Sequence, residues 1–185
     1  YDAARKKCKY AVIEVTSEGI KQFRHRFIRF RMAVMVNVAP EHIESHGGYE
    51  PYLRAKLDLF WRLSEDATAV INRDDPEWKR FSSATRARKI FYDIRRIIAG
   101  EKALEVKNIE CGERGIAFDA GAIEFVSPLI GEFNLQNILA AISAAVGLHI
   151  DLPYAARAIA RVEGIPGRME LVQKSPFGVV VDYAH

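Results

Sequence analysis

Residues 37–56 bring Glu41, His42, His46, the pair Gly47 and Gly48, and Lys56 together directly after an apolar run. Metal-ligand types, a glycine pair and a lysine packed this closely suit a site at the end of a β-strand, where α/β sheets bind their ligands. Glu14 adds to the set from the segment Val12-Ile13-Glu14-Val15-Thr16. A carboxylate inside an apolar run is costly to bury unless it is paired or bound to a cation. Two strand ends can therefore converge on a metal, and oxygen-rich ligation with a single histidine favours Mg²⁺ or Mn²⁺ over zinc. Plainer readings stand beside this one. Glu14 equally suits an edge-strand residue facing water. His42 and His46, four residues apart, equally suit a helix cap and a surface histidine, and the His-Glu dipeptide of a zinc HExxH site is absent.

The elements that must carry these groups follow from the apolar pattern. The 185 residues suit one domain, and 49% hydrophobic with 28% charged residues is the composition of an ordinary globular chain rather than a disordered one. No apolar run approaches the roughly 20 residues of a membrane-spanning helix, and the first residues lack the apolar core of a signal peptide, so a cytoplasmic protein without membrane insertion is expected. Cys8 and Cys111 show neither a CxxC nor a Cys/His spacing and are expected as free thiols. Residues 10–15, 32–38 and 67–72 are short β-branched apolar runs of the buried-strand kind. Between the last two, residues 51–65 place Tyr52, Leu53, Leu57, Phe60, Trp61 and Leu63 at helical spacing. Strand, helix and strand in this order predict an α/β fold with a mainly parallel sheet flanked by helices.

Further along the pattern changes. Residues 90–94 read as β by composition but as helix once Ile97 and Ile98 are included, and periodicity alone leaves both open. Residues 104–109, 115–118 and 122–126, with a turn at 119–121, predict a small antiparallel appendage. Residues 134–148 predict an Ala-rich helix, 152–162 a second one opened by Asp151 and Pro153, and 177–182 a closing strand. The first nine residues suit the end of a helix, and Asn72-Arg73-Asp74-Asp75 suits a turn without chemistry of its own.

The mild net charge of +3 hides one uneven segment, in which Arg24, His25, Arg26, Arg29 and Arg31 alternate with Phe23, Phe27, Phe30 and Met32. No RNA- or DNA-binding signature surrounds it, so a solvated basic segment or an anion site is expected rather than nucleic acid. Arg86, Arg88, Lys89, Arg95 and Arg96 are expected to decorate an exposed face.

Six ordered motifs span nearly the whole chain. They are Glu14-Val15-Thr16-Ser17; Asn37, His42, His46-Gly47, Tyr52 and Lys56; Asn72, Asp74 and Asp75; Gly131, Phe133, Asn134, Asn137 and Leu139-Ala140-Ala141; Gly167-Arg168-Met169-Glu170; and Val181-Asp182-Tyr183-Ala184-His185. Together they resemble the Mur ligases, ATP-dependent enzymes that add amino acids to the peptidoglycan precursor, and most closely the muramoyl-tripeptide synthetase type. The resemblance implies the central ATPase domain of such an enzyme, related in fold to the P-loop NTPases. It implies Glu14 and His42 as ligands of the Mg²⁺ bound with ATP, and Lys56 as a carbamylated lysine beside a second ion. It further implies Thr16, Gln22 and Arg24 as contacts to a UDP-N-acetylmuramoyl-peptide. Asn134 and Asn137 fall near the adenine, an amide being able to donate and accept at a purine edge, while helix N-capping by Asn134 remains compatible. Arg168 and Asp182 are implied to approach the nucleotide phosphates and ribose.

Two local departures accompany these matches: Thr16-Ser17-Glu18 stands where the family has Ser-Ser-His, and Glu41 where it has Asp. A larger one is the lack of any Gly-x₄-Gly-Lys-(Ser/Thr) loop, whose backbone donors and lysine cradle ATP phosphates. The expectation is therefore a partial central ATPase domain over residues 1–185, with the phosphate loop upstream, residues 177–185 leading to a last domain, and no catalysis by the isolated chain. The expected parent is a monomeric acid–amino-acid ligase of peptidoglycan synthesis, the added amino acid being unspecified. Alternatives are a noncatalytic nucleotide- or precursor-binding module and a ligase of the cyanophycin or folylpolyglutamate synthetase type.

Overall fold

The computed structural model describes residues 5–39, 43–173 and 175–183. In chain order its elements are α1 (Ser17–Lys21), β1 (Met32–Met35), α2 (Ile43–His46), α3 (Tyr49–Trp61), β2 (Thr68–Asn72), α4 (Trp78–Ala84) and β3 (Arg88–Asp93). They continue with β4 (Arg96–Ala99), β5 (Lys102–Gly112), β6 (Gly115–Ala120), β7 (Ile123–Ser127), α5 (Glu132–Gly147), α6 (Leu152–Ile159), β8 (Glu170–Gln173) and β9 (Val179–Val181).

Strands β1 to β7 form one sheet in sequence order. The pairs β1–β2 and β2–β3 are parallel, because α3 and α4 provide the crossovers that parallel neighbours need. β2 is buried along its whole length and alternates between two cores. Ala69 and Ile71 face Leu53, Leu57 and Phe60 of α3 and Phe81 of α4, whereas Val70 belongs with Leu135, Ile138, Leu139 and Ile142 of α5. The Phe60 and Phe81 rings meet edge to face, with centroids 4.9 Å apart. α5 runs antiparallel to the first strands: at its end, a Cβ on Gly147 would lie 2.6 Å from the Met32 side chain and 3.0 Å from that of Ile90. A side chain there would make the ends of Met32 and Ile90 shift.

The α/β expectation holds, and its antiparallel part is more extensive than an appendage. The ambiguous residues 90–94 are β3, and Ile97 and Ile98 lie in the next strand. From β3 onward every pairing through β7 is antiparallel. The reason is β5, which pairs with β4 through its first residues and with β6 through the rest, so the hairpins extend the main sheet. The Phe118 and Phe125 rings stack at 5.3 Å on the inner face of these strands.

Four of the expected elements differ. Residues 10–15 form no strand, and Val12 and Ile13 are exposed, because no described strand takes up their backbone ladder. The run 32–38 stops at Met35, because side chains capture its next backbone groups: the Asn72 amide donates to Val36 O at 2.8 Å, and Val38 N–H donates to Asp75 Oδ2 at 2.7 Å. The closing strand is short and pairs antiparallel with β8 in a separate two-stranded sheet. The helix expected over 134–148 begins two residues earlier, with Gly131 as its N-cap, so Asn134 lies inside the first turn. Among the described residues no helix is long and apolar enough to cross a membrane.

Candidate active site

Thr16 starts α1: its hydroxyl accepts the Gly19 N–H at 3.0 Å, satisfying one of the free donors of a helix start. Gln22 is the C-cap of the same helix, and the exposed Arg24 follows, its N–H donating to Gly19 O at 2.9 Å. Thr16 and Gln22 thus bracket one short helix, and Arg24 follows it. The helix is tied to the glycine-rich stretch by the buried Ser17, whose hydroxyl lies 3.1 Å from His46 Nε2, and by Lys21, which donates to Ser45 O at 2.8 Å.

The His46 ring meets Tyr52 edge-on at 5.7 Å, and the Tyr52 hydroxyl donates to Ala39 O. Lys56, one turn further along α3 and half-buried, places Nζ 5.2 Å from the Tyr52 ring centroid. Ser17 and Lys21 of α1 therefore tie the helix bracketed by Thr16 and Gln22 to the stretch that leads into α3, where His46 meets Tyr52 and Lys56 lies beside the same ring. Sequence reading undervalued Ser17, whose role depends on a histidine 29 positions away.

Glu14 is exposed and makes no hydrogen bond or ion pair with a described residue. His42 lies outside the described residues, as do Glu41 and His185. Among the described residues no group of three His, Cys, Asp or Glu side chains is placed to hold a metal ion. The donor chemistry nonetheless suits Mg²⁺, which keeps several waters and takes one or two protein carboxylates plus substrate phosphates rather than a full protein cage.

A second group sits at the C-terminal ends of the parallel strands. Asn72, only 1% exposed, donates to Val36 O, accepts the Asp74 N–H at 2.9 Å and lies 3.5 Å from Gln136 Oε1 of α5. Asp74 accepts the Ile94 N–H, and Asp75 accepts the N–H groups of Val38 and Glu77. The segment read as a plain turn is thus the knot that joins β1, β2 and β3 to the first turn of α5. There the buried Asn134 donates to Ile130 O at 2.8 Å and accepts from Asn137 Nδ2 at 3.2 Å. Its amide is committed to the loop, whereas Asn137 is exposed and uses its Nδ2 on Asn134.

The third group is the small hairpin. Asp182 Oδ2 accepts the Met169 N–H at 2.8 Å, Arg168 Nη1 reaches Tyr183 O at 3.4 Å, and Tyr183 N–H donates to Gly167 O at 2.8 Å. Gly167 has φ +71° and lies so close to the Tyr183 ring that a Cβ would sit 2.0 Å from it. The two motifs are thereby locked into one unit.

Tyr49 opens α3 and donates its phenol to Glu77 Oε1 at 3.0 Å. Burial first, and then the Glu77 carboxylate, push this phenol up to about 12. Folding therefore favours the protonated form, so its contribution is complete below about pH 10 and is lost as pH rises toward about 12. Tyr49→Phe is expected to flatten the alkaline fall in stability across that window, measured by urea denaturation at stepped pH. An unchanged fall would show that Tyr49 takes no part in it.

The profile described as Mur ligase middle domain matches residues 1–145. The chain belongs to the Mur ligase family. A UDP-N-acetylmuramoyl-L-alanyl-D-glutamate–2,6-diaminopimelate ligase from Chlamydia felis (strain Fe/C-56) is 38% identical over 180 residues, covering 95% of this chain and 36% of that protein. A UDP-N-acetylmuramyl-tripeptide synthetase from Roseiflexus sp. (strain RS-1) is 36% identical and covers all of this chain and 39% of its own length. A solved structure of a UDP-N-acetylmuramoyl-L-alanyl-D-glutamate–2,6-diaminopimelate ligase superposes over the whole chain with a TM-score of 0.82 at 28% identity, covering 39% of that structure. The chain thus spans well under half the length of these Mur ligase relatives.

Proposed function

We propose that this Mur ligase chain forms the central ATPase domain of a cytoplasmic, monomeric ligase that joins an amino acid to a UDP-N-acetylmuramoyl-peptide. A carboxylate oxygen of the peptide attacks the γ-phosphorus of ATP and ADP leaves; the amine of the amino acid then attacks the acyl carbon and phosphate leaves. The observation that carries this reading is the tie of α1, which Thr16 caps, to His46 through Ser17, with His46 against the Tyr52 ring and Lys56 beside that ring.

In this reading Arg24 offers a planar pair of donors to a substrate phosphate or carboxylate. Asn137 meets the adenine edge, with Asn134 holding it in place, and Arg168 and Asp182 approach the phosphates and ribose. Glu14, His42 and a carbamylated Lys56 would hold Mg²⁺, which neutralises charge on the transferring phosphoryl group. Most of the acceleration then comes from positioning and charge neutralisation.

The test is phosphate release by the purified protein at its full natural length, with ATP, Mg²⁺ and the UDP-muramoyl-peptide. Release should depend on an added amino acid, and residues 1–185 alone, which contain no Gly-x₄-Gly-Lys-(Ser/Thr) loop, should release none above background. Release that is indifferent to the amino acid and the peptide would overturn the reading.

A further inference from the structure

The Arg/Phe-alternating segment is only partly absorbed by this function, since Arg24 alone is given a role. We propose that residues 25–30 and the end of α3 form a second site, which binds a small phosphorylated molecule with an apolar or aromatic body. The site lies at the edge of the sheet where β1 and β2 begin, opposite the Asn72 knot, because α3 runs from Tyr52 beside Ala39 to Arg62 beside the start of β2.

A groove of about 550 Å³ is lined there by His25, Arg26, Phe27, Arg29, Phe30 and Arg62, among others. Its cations are held in place by carboxylates that leave most of their donors uncommitted. Asp58 Oδ2 accepts from His25 Nε2 at 3.2 Å and from Arg62 Nε at 2.6 Å, so both terminal nitrogens of Arg62 have no described protein partner. Asp66 engages Arg29 only through Nη2, and Arg26 stacks over the Phe23 ring at 3.9 Å without a hydrogen bond. Three guanidinium groups against two carboxylates leave the groove net positive, with planar forks of the kind that suit a phosphate.

His25 supplies the independent observation. Its side chain is 3% exposed, and Nδ1 is the one buried side-chain nitrogen or oxygen among the described residues without a hydrogen-bond partner. Buried polar groups are seldom left so, and His25 itself lines the groove. The apolar side of the argument is Phe27, whose side chain is fully exposed and whose φ is +68°, with Phe23 at +59°. Left-handed geometry at bulky residues costs free energy and persists where its surroundings impose it. Here it holds an aromatic ring out beside three arginines, ready to cover a ligand's apolar body.

Phenyl phosphate and inorganic phosphate are the probes, followed by calorimetric titration and by the imidazole nitrogen resonances of His25. Phenyl phosphate should bind saturably and shift the His25 resonances, and inorganic phosphate should bind several-fold more weakly. Arg29→Ala and Arg62→Ala should each weaken phenyl phosphate by roughly ten-fold or more, the worth of a charge-assisted contact. Arg26→Ala, at an exposed position outside the Asp58 network, provides the same loss without risk to folding. Arg24→Ala should leave this affinity unchanged, which separates the site from the substrate contacts above. No saturation by about 10 mM, weaker than any millimolar-range site, would overturn the proposal. So would affinities indifferent to all three groove arginines, a loss in Arg24→Ala equal to theirs, or equal binding of the two probes.

Discussion

Lys56→Arg in the full-length ligase is expected to lower amino-acid-dependent phosphate release by roughly 10²–10³-fold, the usual cost of removing one preorganised electrostatic group. Arginine keeps the positive charge and the reach from α3 but cannot take up carbon dioxide, whereas a carbamylated lysine is an anion able to meet a metal ion. The position suits such a switch. Lys56 is half-buried beside the Tyr52 ring, on a helix whose Leu53, Leu57 and Phe60 are buried against the sheet, so its backbone is held rigidly. Lys56→Ala should be as inactive as Lys56→Arg, and both should melt within a few degrees of the parent, since neither change reaches the core. A carbamate carbon resonance in ¹³C-bicarbonate should appear in the parent and be missing from both variants. Full activity in Lys56→Arg would mean that a plain cation suffices.

Asn72→Leu is expected to be the most damaging single change to the scaffold. Leucine nearly matches the volume but leaves Val36 C=O without the 2.8 Å donor and Asp74 N–H without its 2.9 Å acceptor. Each orphaned group costs about 1–3 kcal/mol, so the total is about 2–6 kcal/mol. For a chain of this size that corresponds to a melting temperature lower by about 4–24 °C, read by calorimetry. The loss also releases the end of β1 and the contact with Gln136, so nucleotide affinity in the full-length protein should fall along with stability. A shift under about 2 °C would show that water replaces the amide without cost.

These two residues divide what was legible from what was not. Lys56 could be singled out only through the motif it shares with the Mur ligases, whereas the helix beneath it was legible from apolar spacing alone. Asn72 could not, because nothing local distinguishes a turn asparagine from one that bonds a carbonyl 36 positions away. Asn134 shows the same limit: its neighbourhood marked a helix start, yet Gly131 caps the helix and the buried amide braces the loop instead. The run 10–15 has the composition of a strand, but a strand also requires a neighbour to accept its ladder.

By itself the sequence determined which faces are buried, since a period of two or of 3.6 is written into successive residues, and it carried the motifs that place the chain among the Mur ligases. Tertiary structure alone decided where β1 ends, how far the antiparallel strands extend the sheet, which of Asn134 and Asn137 stays exposed, and that His25 is buried among arginines. The physical reason is that burial pattern is local, whereas the partner of a polar group is set by whatever distant segment the folded chain brings within hydrogen-bonding distance.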